Sequence, residues 1–228
     1  MVCEQKPLGR WGANAHPMTL VAFDFDGTLS DSEMMVLLGE QYGVANEIGD
    51  ITARAMRGEL SYAESVYERA ALLEGLPEPE AQAAYEQVFL RPGAADLIAA
   101  LNDAGHTTAI LTGGFTPGVE AALAKDHTEV DHVVANDLPV ADGRLTGDAE
   151  GPLIEGTKDD ALESLCVETG TDLADTVAIG DGANDLPMLK AAGTAIGFIP
   201  KPAVRPHCDV VVATMSRLQR VFEEDGLL

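Results

Sequence analysis

The chain is poor in cysteine, lysine, aromatic residues and long apolar runs. Its three cysteines, Cys3, Cys166 and Cys208, show no Cys-x-x-Cys spacing. That excludes a disulfide scaffold, gives no thiolate metal signal and fits a reducing cytoplasm. No apolar run approaches membrane-spanning length and no signal peptide is visible, so a cytoplasmic protein is expected. Only 14 basic residues stand against 38 acidic ones, a net charge of −24. Nucleic acid and anionic membrane are therefore poor partners. Lysine is limited to Lys6, Lys125, Lys158, Lys190 and Lys201. The acid is spread along the chain, which argues against a simple acidic interaction arm. A diffuse acidic surface with little lysine points to a salt-loving source, where screening removes the self-repulsion.

What is present is ample apolar material. Hydrophobic residues make up 46% of 228 residues, enough for one large domain or a domain with a smaller insert. Residues 1–17 have no period and read as an N-terminal tail, with the lone Trp11 given no role. The chain becomes organised at Leu20 to Leu29, Leu-Val-Ala-Phe-Asp-Phe-Asp-Gly-Thr-Leu. Its apolar start predicts a buried strand that ends at Gly27. Spacing of two on an extended chain sends Asp24 and Asp26 to one side. Two neighbouring carboxylates need a cation or a proton between them, and hard oxygen ligands suit Mg2+. The plain alternative is a polar turn, in which Asp and Gly are ordinary residues.

Residues 31–90 have helical spacing and no convincing strand. Helices are predicted over 32–42, 48–58, 62–73 and 79–89, with breaks at Gly43, Gly58, Gly75 and Pro77/Pro79. The pattern then alternates. Helices are predicted at 94–104, 119–125, 157–168, 186–192 and 216–225, with Thr157 as an N-cap. Strands are predicted at 107–111, 133–135, 176–179, 194–198 and 210–213, and a hairpin turns about Asp142-Gly143. Alternation of this kind predicts an α/β, doubly wound parallel sheet covered on both faces. The expected division is a tail over 1–17, a Rossmann-like catalytic core over 18–31 and 90–228, and a helical cap over 32–89.

In such sheets ligands bind beyond the carboxyl ends of the strands. Asp24/Asp26, Thr112/Gly113 and Asp181/Asp185 all follow strands directly. Thr112-Gly113-Gly114 offers a hydroxyl and backbone N–H groups as an anion nest. Lys158, opening a helix, adds positive charge beside a helix N-terminus. Acids facing an anion nest make sense if Mg2+ bridges carboxylates to a phosphate. Singly, each residue also has an ordinary reading: a surface lysine, a turn threonine, a first-turn helix acid.

Asp-Phe-Asp-Gly-Thr-Leu, Ile-Leu-Thr-Gly-Gly, Lys158 and Gly-Asp-Gly-Ala-Asn-Asp, in order, resemble the four motifs of the haloacid dehalogenase superfamily of phosphotransferases. The resemblance spans residues 19–213. It implies that Asp24 is the nucleophile and Asp26 the general acid and base. It implies that Thr112, Gly113 N–H, Lys158 and Asn184 serve the substrate. It gives Mg2+ to Asp24, the Asp26 carbonyl oxygen and Asp181, with Asp185 in support.

The cap resembles that of the phosphoserine phosphatase family. Glu33 stands nine residues after Asp24, and the patterns at 51–60 and 65–73 are similar. This resemblance implies that Glu33 meets the substrate amino group and Arg69 its carboxylate, while Met56 and Tyr62 shield the site. The residues themselves leave alternatives: Glu33 as a first-turn acid, Arg69 paired with Glu64 or Glu68 on its own helix, and Arg54 or Arg57 as rival carboxylate binders. Thr112 stands where that family commonly shows serine, so the hydroxyl survives with an added methyl. The expected partner is a small phosphomonoester, processed by a monomer or homodimer. Phosphothreonine or phosphohomoserine are alternative substrates, and a phospho-accepting signalling receiver is the rival of another class.

Overall fold

The computed structural model describes residues 18–228, so the expected tail, with Cys3 and Trp11, lies outside the described residues. Strand β1 (Leu20–Phe23) is followed by four helices, α1 (Met34–Tyr42), α2 (Ala45–Met56), α3 (Tyr62–Ala71) and α4 (Glu78–Tyr85). Next come α5 (Ala94–Asp103), β2 (Thr107–Phe115), α6 (Thr116–Lys125) and β3 (His132–Asn136). A hairpin of β4 (Val140–Ala141) and β5 (Arg144–Leu145) precedes α7 (Pro152–Glu155) and α8 (Lys158–Thr169). The chain closes with β6 (Thr176–Gly180), α9 (Leu186–Ala191), β7 (Thr194–Phe198), β8 (Val210–Val212) and α10 (Met215–Asp225).

The main sheet has the order β3-β2-β1-β6-β7-β8, and every pairing in it is parallel. This is the expected α/β, doubly wound architecture. Strand side chains alternate between two faces. Val21, Phe23, Ile110, Val177 and Ile179 join one apolar cluster with α5 and α10. Leu20, Ala22, Ala109 and Ala178 join another with Leu162, Leu165 and Met188 from α8 and α9. Both faces are covered, as an all-parallel sheet requires. The strand order reverses between β1 and β6, the place where such sheets open a crevice at their carboxyl edge.

Helices α1–α3 contribute Met34, Leu38, Ile48 and Val66, and the α3–α4 connection Leu73 and Leu76, to the same apolar cluster as one face of the sheet. Within this block Gly43 ends α1 at φ 77°, a left-handed conformation that glycine adopts without strain. Helix α3 opens with a capping box between Ser61 and Glu64. The two segments joining these helices to the sheet lie side by side. Ser30 bridges Leu90 in antiparallel fashion, and Arg91 N–H donates to Leu29 O at 2.7 Å. Arg91 also donates from its guanidinium to Thr28 O at 3.0 Å and Gly27 O at 3.2 Å, and it lies 5.3 Å from the Phe198 ring. On the other side Lys125 Nζ donates to Glu86 O at 2.8 Å and Val88 O at 2.6 Å.

Several element ends differ from the sequence expectation. β2 runs on to Phe115 instead of ending at Leu111, because Phe115 pairs again with Asn136 after an irregularity. α6 accordingly begins at Thr116. α2 begins at Ala45, one turn earlier than expected, and the short α7 had no signal in the sequence. Thr157 does occupy the N-cap position of α8, but it makes no side-chain cap; its hydroxyl donates instead to Asp160 Oδ2 at 3.0 Å.

Candidate active site

Four charged side chains meet where β1 and β6 end. Asp24, one residue beyond β1, is 2% exposed, and Lys158, the first residue of α8, is 3% exposed. Lys158 Nζ reaches Asp24 Oδ1 at 2.5 Å and Asp185 Oδ1 at 2.6 Å. The other oxygen of Asp185 accepts from the N–H groups of Asp181 and Gly182 at 2.9 and 2.8 Å, so this fully buried carboxylate pins the turn after β6. One oxygen from each of Asp24, Asp181 and Asp185 lies within 4.8 Å of the others. Gly27 is necessary to this arrangement. It sits at φ 90°, and a Cβ there would meet Asp181 Oδ1 at 2.8 Å, so only glycine brings the two loops this close.

Charge in this crevice is poorly balanced. Burial first, and repulsion by Asp185 second, push the Asp24 carboxyl up to about 7, against the pull of Lys158. Asp26 is raised well above the ordinary carboxylate range by burial, then by Glu33 and Asp24. Burial also raises Asp181, with Lys201 opposing. Lys158 behaves differently: burial works against its charge, but Asp185 and Asp24 outweigh that and hold it protonated. Two buried oxygens, Asp24 Oδ2 and Asp26 Oδ1, have no hydrogen-bond partner among the described residues. Buried anionic oxygens left unpaired are costly. The crowd of hard donors therefore fits a cation of the Mg2+ kind.

Beside the acids lies the turn from β2. The Thr112 hydroxyl, 1% exposed, accepts from Gly114 N–H at 2.9 Å. Asp26 Oδ2 accepts from Met34 N–H at 3.4 Å, tying the second aspartate to the start of α1. The Tyr62 hydroxyl packs directly over Gly113, where a Cβ would collide with it. Burial of that hydroxyl raises its pKa, although the residue as a whole is 38% exposed.

The three arginines of the helical block separate clearly. Arg54 pairs with Glu68 at 2.7 Å and Arg57 with Glu59 at 2.5 Å. Glu64 is used in the Ser61 capping box. Arg69 has no ion pair among the described residues; its Nε donates to Ser65 O at 3.0 Å. Burial lowers its pKa, and Tyr62, Glu33 and Asp26 are near enough to act against that. Glu33, the residue before α1, is open to solvent. Desolvation of its carboxyl raises its pKa, opposed by Lys201 and Arg69. Asn184 is exposed in the short turn before α9. Met56, at the end of α2, is 75% exposed and makes no described polar contact with the site.

Lys201, Asn136 and Arg91 escaped the sequence reading. Lys201 follows β7 and holds Asp181 twice, through Nζ to Oδ2 at 3.1 Å and through its N–H to the carbonyl at 2.9 Å. Its position just past a strand, in a chain with so few lysines, was a usable signal. Asn136 and Arg91 act on backbone groups far away in sequence, and no local pattern marks such contacts.

The model of the haloacid dehalogenase-like hydrolases matches residues 21–190. A phosphoserine phosphatase of Halobacterium salinarum is 58% identical over 92% of this chain and 100% of its own length. One from Streptococcus thermophilus is 42% identical over 90% of this chain and 94% of its own. Among solved structures, a phospho-aspartyl intermediate analogue of phosphoserine phosphatase superposes with a TM-score of 0.82 at 35% identity. That match covers 89% of this chain and 98% of the other. A substrate-bound phosphoserine phosphatase complex superposes with a TM-score of 0.83 at 34% identity, over 91% and 98% of the two chains. With its acids, lysine and glycine turn gathered at one sheet edge, the chain belongs to the haloacid dehalogenase-like hydrolases.

Proposed function

We propose that the protein is a Mg2+-dependent phosphatase that cleaves L-phosphoserine to serine and phosphate, supplying serine for biosynthesis in the cytoplasm of a salt-loving cell. The observation that carries the substrate reading is Arg69, the one arginine of the helical block not paired with an acid among the described residues. A guanidinium can grip a carboxylate with two parallel bonds. Glu33, within electrostatic reach of it, supplies the opposite charge for an ammonium. A zwitterion with a phosphate ester between these groups and Asp24 satisfies all three. Residues 32–89 form the cap in this reading, with Met56 and Tyr62 shielding the site and Asn184 reaching the substrate.

Asp24 attacks phosphorus through a carboxylate oxygen as the ester P–O bond breaks, and Asp26 gives its proton to the departing serine oxygen. Water then attacks the aspartyl-phosphate, its proton passes to Asp26, and Asp24 is regenerated. A carboxylate needs no activating base for this role, unlike a serine hydroxyl. Raised protonation of Asp26 by burial suits its first task. Lys158, Thr112 and Gly113 N–H hold the phosphoryl oxygens. Asp24, the Asp26 carbonyl oxygen and Asp181 would hold Mg2+, with Asp185 in support, and the ion would neutralise charge between nucleophile and phosphate.

The test is phosphate release from L-phosphoserine in molar KCl, with Mg2+ and then EDTA, beside phosphothreonine, phosphohomoserine and an aryl phosphate. Multiple turnovers that need Mg2+, with phosphoserine well ahead, are expected. Release from other esters alone would remove the roles of Glu33 and Arg69. A single self-phosphorylation without turnover would mark a receiver. Asp24→Asn should lower the rate at least about a thousandfold; a substantial residual rate would sink the nucleophile assignment.

A further inference from the structure

We infer that Asn136 is a positioning residue for the phosphate-binding turn, acting through the Gly113–Gly114 peptide. The inference rests on the phosphatase reading above, in which Gly113 N–H meets the transferring group. β2 and β3 keep parallel register from Ala109↔His132 to Leu111↔Val134, then jump to Phe115↔Asn136. Four residue steps on β2 thus match two on β3, and Thr112–Gly114 leaves the ladder as a bulge. Backbone groups in a bulge lose their strand partners, and when buried they need others. Side chains supply them here. Asn136 Nδ2 donates to Gly113 O at 3.1 Å, while Thr112 Oγ1 accepts from Gly114 N–H at 2.9 Å. The planar Gly113–Gly114 peptide is therefore held at both its carbonyl and its amide.

The orientation of the Asn136 amide is forced. Its Oδ1 accepts from Leu153 N–H at 3.0 Å. That N–H can only donate, and Gly113 O can only accept, so turning the amide over would lose both bonds. Asn136 is fully buried, and a Cβ on Gly151 would meet its Oδ1 at 2.5 Å. The cage admits one side chain with a donor and an acceptor at this reach. Two successive glycines would otherwise leave the turn free to swing its N–H groups away from a phosphate. Asn136 restricts that freedom from the carbonyl side of Gly113, whose own N–H belongs to the preceding Thr112–Gly113 peptide, without touching substrate itself.

The experiment uses the full chain with Mg2+ in molar KCl and compares Asn136→Asp and Asn136→Ala with the parent at pH 8. Asn136→Asp keeps size and the acceptor for Leu153 N–H but loses the donor to Gly113 O. The readouts are the inhibition constant of inorganic phosphate, the KM of an aryl phosphate, and the Mg2+ concentration for half activation. Phosphate inhibition and KM should both weaken about tenfold, while the Mg2+ requirement stays at the parent value. An inhibition constant within about twofold of the parent would overturn the role. So would a Mg2+ requirement that rises in step with it, or failure of both variants to fold, since either makes Asn136 a general prop of the structure. A parent that releases phosphate from no ester would remove the phosphatase reading, and this inference with it; an active parent with variants that bind phosphate normally removes Asn136 alone.

Discussion

Arg54 and Arg69 illustrate how much a single neighbour decides. Both lie on helices of the inserted block, with acids nearby in sequence. Arg54 takes Glu68, whereas Arg69, next to Glu68 in sequence and so not facing it on the helix, has no ion pair among the described residues. Exposed pairs such as Arg54–Glu68 contribute little to stability, but this one occupies Arg54, a rival of Arg69 as a carboxylate binder. Arg69→Ala should lower kcat/KM for phosphoserine about tenfold to a hundredfold, the loss expected for charge-assisted bonds to a carboxylate. The same change should leave hydrolysis of a carboxylate-free aryl phosphate within a few-fold of the parent. Equal losses on both substrates would show that Arg69 is structural. Arg54→Ala is the matched control and should spare the ratio between the two substrates.

Elements were legible to the extent that their signals are local. The apolar run before Asp24, the Asp142-Gly143 hairpin and the amphipathic helices all sit in short windows, and the chain forms them. Gly43 ends a helix as read, since a left-handed residue there needs glycine. The end of β2 is not legible locally, because Thr112-Gly113-Gly114 has the composition of a strand terminator. Only the partner strand, returning at Asn136, carries β2 on to Phe115. α7 is four residues between Gly151 and Gly156, too short for any period. The site motifs were visible for the opposite reason: each follows a strand, so their convergence comes from topology rather than contact. Arg91 lay beyond such reading, because its guanidinium ties the return segment to the Gly27 and Thr28 carbonyls across more than sixty residues. Those carbonyls belong to the loop just past Asp26. Arg91→Ala should therefore lower stability by about 1–3 kcal/mol, the cost of leaving partly buried carbonyls unpaired, read as a shift of the urea midpoint. It should also reduce turnover of phosphoserine and aryl phosphate in the same proportion, since the loop serves both. An unchanged midpoint would show that the brace is idle.

At the scale of the whole molecule, charge is the dominant fact. A net charge of −24 on 228 residues opposes compaction by self-repulsion. Specific contacts already use much of the scarce positive charge. Lys158 and Lys201 face the site acids, Lys125 and Arg91 brace the connecting segments, and Arg217 pairs with Glu224. Few cations remain to neutralise the rest of the surface, so mobile ions must screen it. The Debye length falls from about 30 Å at 0.01 M to about 3 Å at 1 M salt, shorter than the spacing of most surface charges. The melting temperature should accordingly rise by more than about 5 °C between low and molar KCl. Most of that gain should come below about 1 M, where screening saturates. A melting curve that does not move would remove the salt-loving reading. A gain that continues linearly to several molar would assign the stabilisation to exclusion of salt from the surface. Replacing a group of exposed acids far from the site, Glu40, Glu80, Glu86 and Glu163, by glutamine separates the two causes. Under screening, this variant should melt higher than the parent at low salt and converge with it in molar KCl, because the repulsion it removes is the repulsion the salt screens.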